Sequence, residues 1–268
     1  MAKIIFAAIS PHPPIIVPTI GSPSNLRIIS NTIKGMEKLA EKFAKTKPET
    51  VILISPHGPT DLENFTITNS PTLTGHFRNF GDFQTELIFK NDEKLIGAIK
   101  EGCEKEKIPL KLLDLSELDH GALVPLYYLS KGHPNFKLVP VAFSFVNLET
   151  HFKFGQILTK IVSGGHSSAN YGIIASGDLS HRLTSNAPAG YSYRGKEFDE
   201  KLVQLLKNKD IEGILNLDPD LVDEAGECGY RSIVILLGAL YSLKWQPEIL
   251  SYEGPFGVGY LVANFKLK

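Results

Sequence analysis

The residues most able to do chemistry are histidines that close strands. Lys3-Ile4-Ile5-Phe6-Ala7-Ala8-Ile9-Ser10-Pro11-His12-Pro13-Pro14 reads as a buried strand that stops at Pro11, because proline cannot donate to a ladder. The prolines on either side of His12 also restrict its backbone and hold the imidazole on a stiff loop. The pattern returns at Val51-Ile52-Leu53-Ile54-Ser55-Pro56-His57-Gly58-Pro59. One histidine after a strand is ordinarily a loop residue; two copies of strand-Ser-Pro-His point to a shared site. In one open α/β sheet both imidazoles would fall in the crevice at the carboxyl ends of the strands, where such sheets bind ligands. His12 and His57 are therefore expected to hold one metal ion.

Two neutral imidazoles and one carboxylate make the facial triad of non-haem Fe(II), which leaves positions open for substrate and dioxygen. Asp223-Glu224-Ala225-Gly226-Glu227-Cys228-Gly229-Tyr230-Arg231 reads as the opening of a helix that turns apolar all round from Ile233 to Leu240, and so as a central, buried one. Glu227 is the leading third ligand. A helix start favours an anion, and the glycines let the backbone approach closely. A carboxylate facing a core must be paired or metal-bound. Cys228 is the rival. Neighbouring helical positions point about 100° apart, so one of the two would face the ion. A thiolate would favour zinc. Glu224 is a further alternative, and the plain reading of the acidic cluster is a helix cap.

His120, in Leu118-Asp119-His120-Gly121, and His181, in Ser176-Gly177-Asp178-Leu179-Ser180-His181, are the candidate proton-transfer groups. Histidine titrates near neutrality and serves as acid or base. Asp119 and Asp178 stand close enough in sequence to orient an imidazole or raise its pKa. His76, His133, His151 and His166 sit in polar or loop contexts and are read as surface residues. The stretch Thr74–Phe83 reads as a loop near the site. Tyr191, Tyr193 and Arg194 read as a solvent-facing loop, with an aromatic carboxylate as the functional alternative.

These side chains must be positioned by alternating strands and helices. A helix over Leu26–Lys45 follows the first histidine loop, and Thr50–Ile54 is the second strand, a right-handed parallel crossover. Further strands are expected at Phe65–Thr68, Thr85–Phe89, Leu110–Leu113, Lys137–Phe143, Tyr171–Ala175, Glu248–Tyr252 and Val258–Phe265. Helices are expected at Asp92–Lys105, Leu148–Val162, Gly195–Asn208 and Ile211–Leu217, and Leu118–Leu126 reads as a turn running into a helix through about Ser130. There is no long linker or repeat, so residues 1–268 are expected to form a single domain. With 43% hydrophobic residues the chain can fill a core. A net charge of −1 gives no reason to expect nucleic acid or a membrane surface as partner. The 2 cysteines, Cys103 and Cys228, make no disulfide framework and suit a reducing compartment. The first strand is not a signal peptide, and no apolar run approaches the roughly 20 residues of a membrane span, so a cytoplasmic protein is expected.

Ser-Pro-His-Pro-Pro (10–14), Ser-Pro-His-Gly-Pro (55–59), Asp-His-Gly-Ala-Leu-Val-Pro-Leu (119–126), Ser-Gly-Asp-Leu-Ser-His (176–181) and Glu-Cys-Gly (227–229) stand in a telling order. With them the chain, from residue 4 to about 265, resembles the class III, LigB-type extradiol ring-cleavage dioxygenases and their Memo-like relatives. The resemblance implies a three-layer α/β/α fold around a mostly parallel mixed sheet, often as a homodimer. It implies Fe(II) held by His12, His57 and Glu227, with His120 and His181 assisting catalysis. It also implies a catechol-like or aminophenol-like aromatic substrate opened with O2. Memo-like proteins carry a cysteine in place of the third ligand, which implies Cys228, zinc or a vestigial site, and an accessory role. A zinc hydrolase with His181 as base is a third reading.

Overall fold

The computed structural model describes residues 3–164 and 169–268. His166, read above as a surface residue, lies outside the described residues. The elements run β1 (Lys3–Ser10), α1 (Pro23–Ile28), α2 (Ser30–Thr46), β2 (Thr50–Ser55), β3 (Phe65–Thr68), β4 (Thr72–His76), β5 (Glu86–Asn91), α3 (Glu93–Glu106), β6 (Leu110–Leu113) and α4 (His120–Leu129). They continue with β7 (Lys137–Ala142), α5 (Leu148–Ser163), β8 (Asn170–Ser176), α6 (Tyr193–Asn208), α7 (Ile211–Leu215), α8 (Pro219–Ala225), α9 (Tyr230–Leu240), β9 (Trp245–Glu253) and β10 (Tyr260–Leu267).

All 10 strands join one mixed sheet, ordered β4-β5-β7-β2-β8-β1-β10-β9, with β3 beside β7 and β6 beside β3. From β5 to β1 neighbouring strands run parallel, and the chain closes with the antiparallel pairs β1–β10 and β10–β9. The period of two splits each central strand between two cores. Ile52 and Ile54 of β2 join the layer of α3, α5, α6 and α9, whereas Val51 and Leu53 join that of α2 and α4. This is a three-layer α/β/α architecture. No helix among the described residues is long and apolar enough to cross a membrane.

Two predicted helices are broken in ways that matter. The first divides at Ile29 into α1, capped by the Ser22 hydroxyl on the Asn25 N–H, and α2. The second does not span Asp223–Arg231. Gly226 takes the left-handed conformation (φ +60°) and stops α8, and α9 begins only at Tyr230. Glu227 and Cys228 therefore lie in a turn between two helices. Part of the expected Thr74–Phe83 loop is strand β4, paired with β5.

Candidate metal centre

Strands β2, β8 and β1 are adjacent and parallel, and each ends in a buried serine: Ser55, Ser176 and Ser10. Because β8 lies between the others, the Ser-Pro-His loops of β1 and β2 lean together over its end. The two imidazoles meet there, with Nε2 of His12 and His57 3.0 Å apart and their rings at 87°. His12 is buried at 2% exposure. His57 opens onto a cleft along the rest of its ring.

Metal–nitrogen bonds of about 2.05 Å place two donors about 2.9 Å apart at a right angle and about 3.3 Å apart at a tetrahedral one. The observed spacing fits two donors to one ion. Burial first, then the neighbouring imidazoles, lowers the pKa of His12 and of His57, which keeps both rings in the neutral form that ligates.

His120 opens α4 and brings a third imidazole, with one ligating atom from each of His12, His57 and His120 all within 4.8 Å of one another. Its ring stacks on His57, with centroids 4.4 Å apart and planes at 20°. Nearly parallel rings cannot both aim in-plane lone pairs at one ion, so His120 suits a proton-handling role better than ligation beside His57. Its pKa is lowered by burial, with Asp119 opposing the shift. Asp119 caps α4 by accepting the Ala122 N–H at 3.1 Å, and also accepts the Ser55 hydroxyl at 2.5 Å. His181 is near enough to lower the pKa of His12 electrostatically, and its own pKa is lowered by burial. Its Nδ1 is buried without a hydrogen-bond partner among the described residues.

Asp178 orients His12 rather than its sequence neighbour His181. Its Oδ1 accepts the backbone N–H of His12 at 2.9 Å, and Oδ2 lies 3.8 Å from His12 Nε2. Burial raises its pKa to about 7.

Of the two third-ligand candidates, it is Cys228 that faces the imidazoles, with Sγ 3.7 Å from His12 Nε2. A nitrogen and a sulfur at about 2.05 and 2.3 Å from one tetrahedral ion stand about 3.6 Å apart. Sγ also receives the Asp178 N–H at 3.3 Å, a donor that favours a thiolate. Without an ion, burial raises this thiol's pKa well above the ordinary value. Glu227 turns the other way and accepts the Tyr230 N–H at the start of α9. It lines a different cavity with Leu217, Val222 and Arg231. Burial raises its pKa to about 7. The cause is the stop at Gly226, which replaces helical spacing with a turn. Glu224 is engaged with Arg194 at 3.3 Å.

Arg194 also binds Asp218 at 2.6 Å, so it is not free for a substrate carboxylate. His151 is not a surface residue. It is fully buried, between the carbonyls of Asn147 and Ser144 and against Phe65. Phe80 sets its ring 5.4 Å from that of His120. With Asn79, His76, Glu117 and Leu118 it walls a cleft of about 340 Å³ that opens on His57 and His120. A hollow of about 390 Å³ lined by Glu49, Asp92 and Lys137 lies at the opposite ends of the strands, away from the histidines.

Sequence reasoning gave no role to Ser55 or Ser176. Ser55 Oγ accepts the His57 N–H at 3.3 Å, and Ser176 Oγ lies 3.0 Å from His12 Nδ1. The available signal was a serine closing each strand that carries a histidine motif.

Comparison with known proteins bears on this geometry. The sequence model of a family described as the catalytic LigB subunit of aromatic ring-opening dioxygenase matches residues 6–263. Protein CA_C1420 of Clostridium acetobutylicum is 38% identical over 265 residues, which cover 96% of this chain and 56% of that protein. The chain thus spans little more than half the length of this curated relative. The crystal structure of the uncharacterized protein JW3007 from Escherichia coli K12 superposes with a TM-score of 0.68 at 18% identity, over 97% of this chain and 99% of that one. The latter is a likeness of fold alone.

Proposed function

The chain belongs to the LigB family of aromatic ring-opening dioxygenase catalytic subunits, and from that premise we propose that it is a metal-binding protein in which Cys228 joins His12 and His57 as the third ligand. The observation that carries this reading is the 3.7 Å approach of Cys228 Sγ to His12 Nε2, with Glu227 turned to the start of α9. A set of two imidazoles and a thiolate favours zinc over the hard-ligand site of an Fe(II) oxygenase. The role is then the accessory one of the Memo-like relatives.

A second reading keeps the chemistry of ring opening. It is favoured by Asp178, whose carboxylate lies 3.8 Å from His12 Nε2, and by the cleft beside His57 and His120. Bound Fe(II) would supply Lewis acidity and a common binding point for an aromatic diol or aminophenol and dioxygen. In this reading His181 and His120, both neutral, each accept a phenolic proton, and His120, once protonated, returns its proton to the opening ring. Phe80 covers the His120 side of the cleft.

Metal analysis of protein purified without added metals, followed by anaerobic loading with Fe(II) and exposure to a catechol and aminophenol panel in air, separates the two. The first reading expects one ion per chain and no ring-opened product. Yellow product at measurable rates, lost in His181→Ala, overturns it in favour of the second.

A further inference from the structure

We infer that Pro125 and Ser176 together dictate which nitrogen of His12 carries the ring proton, so that Nε2 always presents a bare lone pair to the site. Pro125 lies inside α4. In an α-helix residue 125 would donate to the carbonyl of residue 121, but proline has no N–H. The Gly121 carbonyl is therefore left without its helical donor, in a buried residue, where an unpaired carbonyl is costly. Ser176, fully buried at the end of β8, fills the gap, with its Oγ 2.5 Å from Gly121 O.

A carbonyl oxygen only accepts, so the single hydroxyl proton of Ser176 is committed to Gly121. Ser176 Oγ can then only accept from its other neighbour, His12 Nδ1, at 3.0 Å. The one proton of a neutral His12 ring must sit on Nδ1. Nε2 is left bare, facing Nε2 of His57 and Sγ of Cys228. Gly121 itself sits tight against the end of β2, where a Cβ would lie 2.5 Å from Ser55 Oγ. A missing backbone donor in one helix thus sets a tautomer in the loop after β1, and Ser176 is a positioning residue. The consequence for metal affinity rests on the reading above; the tautomer itself does not.

The test is long-range ¹H–¹⁵N correlation of the imidazoles in metal-free, ¹⁵N-labelled protein, with Co(II) titration in parallel. Wild type is expected to show His12 protonated at Nδ1 alone. Ser176→Ala, and Pro125→Ala by returning a donor to Gly121, are expected to populate the Nε2–H form. Ser176→Ala is expected to weaken Co(II) binding by about 10–100-fold, and Ser176→Thr to restore both readouts. A wild-type His12 protonated at Nε2, a result that needs no variant, overturns the inference. So does a tautomer unchanged in both alanine variants. Failure of wild type to bind Co(II) would count against the proposed metal site only, and the tautomer measurement would still decide this one.

Discussion

Gly177 and Gly229 meet backbone to backbone: a Cβ built on Gly177 would lie 2.1 Å from the Cα of Gly229. The contact ties the end of β8 to the turn that carries Cys228. It is reinforced by the Cys228 and Gly229 N–H groups, which both donate to the Asp178 carbonyl, at 3.3 and 2.9 Å. One added methyl at Gly177 must push the turn away from His12. Gly177→Ala is expected to keep the fold at a cost of about 1–3 kcal/mol while losing thiolate absorption in the Co(II) form. A Gly177→Ala protein with an unchanged Co(II) spectrum would show that the contact does not position Cys228.

His12 and His57 are expected to be indispensable for metal, and His120 not. His12→Ala and His57→Ala should each remove stoichiometric Co(II) binding, because each deletes a ligand. His120→Ala should leave affinity within about tenfold, because a ring stacked on His57 does not aim its lone pair at the same ion. Equilibrium dialysis against Co(II) measures this. Loss of binding in His120→Ala equal to that in His57→Ala would make His120 a ligand.

The neighbouring pair Glu227 and Cys228 should separate cleanly. Cys228→Ala should abolish the thiolate-to-Co(II) charge-transfer band. Glu227→Ala should leave the band intact and lower stability by about 1 kcal/mol through loss of the acceptor on the Tyr230 N–H. The opposite pattern would restore Glu227 as the ligand.

The contribution of Asp199 to stability should fall as pH rises. Asp199 of α6 is fully buried, and accepts the Ser180 N–H at 2.8 Å and the Tyr252 hydroxyl at 2.7 Å. Burial raises its pKa from 3.8 to about 7. The folded chain therefore holds this proton more tightly than the unfolded chain. The associated stability is complete below the unfolded value and is lost as pH climbs through about 7. At about 1.4 kcal/mol per unit the upper bound is about 4 kcal/mol. Asp178 and Glu227, also raised to about 7, act in the same direction. Burial lowers the pKa of His12, His57, His120, His151 and His181, which act in the opposite direction, so the readout is a difference: the melting temperature of metal-free wild type minus that of Asp199→Asn should fall between mildly acid and mildly alkaline pH. A difference that rises over that window would contradict the assignment.

Much of this architecture was legible because strand and crossover signals are local. Val51–Ile54 is apolar and of strand length, and Pro56 ends it; the same holds for β1. The convergence of His12 and His57 could be read because one motif was written twice. The choice between Glu227 and Cys228 was not legible: a glycine inside an apparent helix start reads as room for close approach, whereas its positive φ ends α8 and leaves both residues in a turn. The burial of His151 was not legible, because Phe65 lies far away in sequence and touches it only in the fold. The division at Ile29 was missed because the apolar spacing runs on across it. Ser176 escaped notice because its role depends on a carbonyl freed by Pro125, a relation no window of sequence contains.

X-ray absorption at the metal edge of protein loaded with one equivalent of Zn(II) reads the ligand set directly. The account predicts one sulfur scatterer at about 2.3 Å with nitrogen neighbours at about 2.0–2.1 Å, and loss of the sulfur shell in Cys228→Ala. A shell of nitrogen and oxygen alone in the wild-type protein would contradict it.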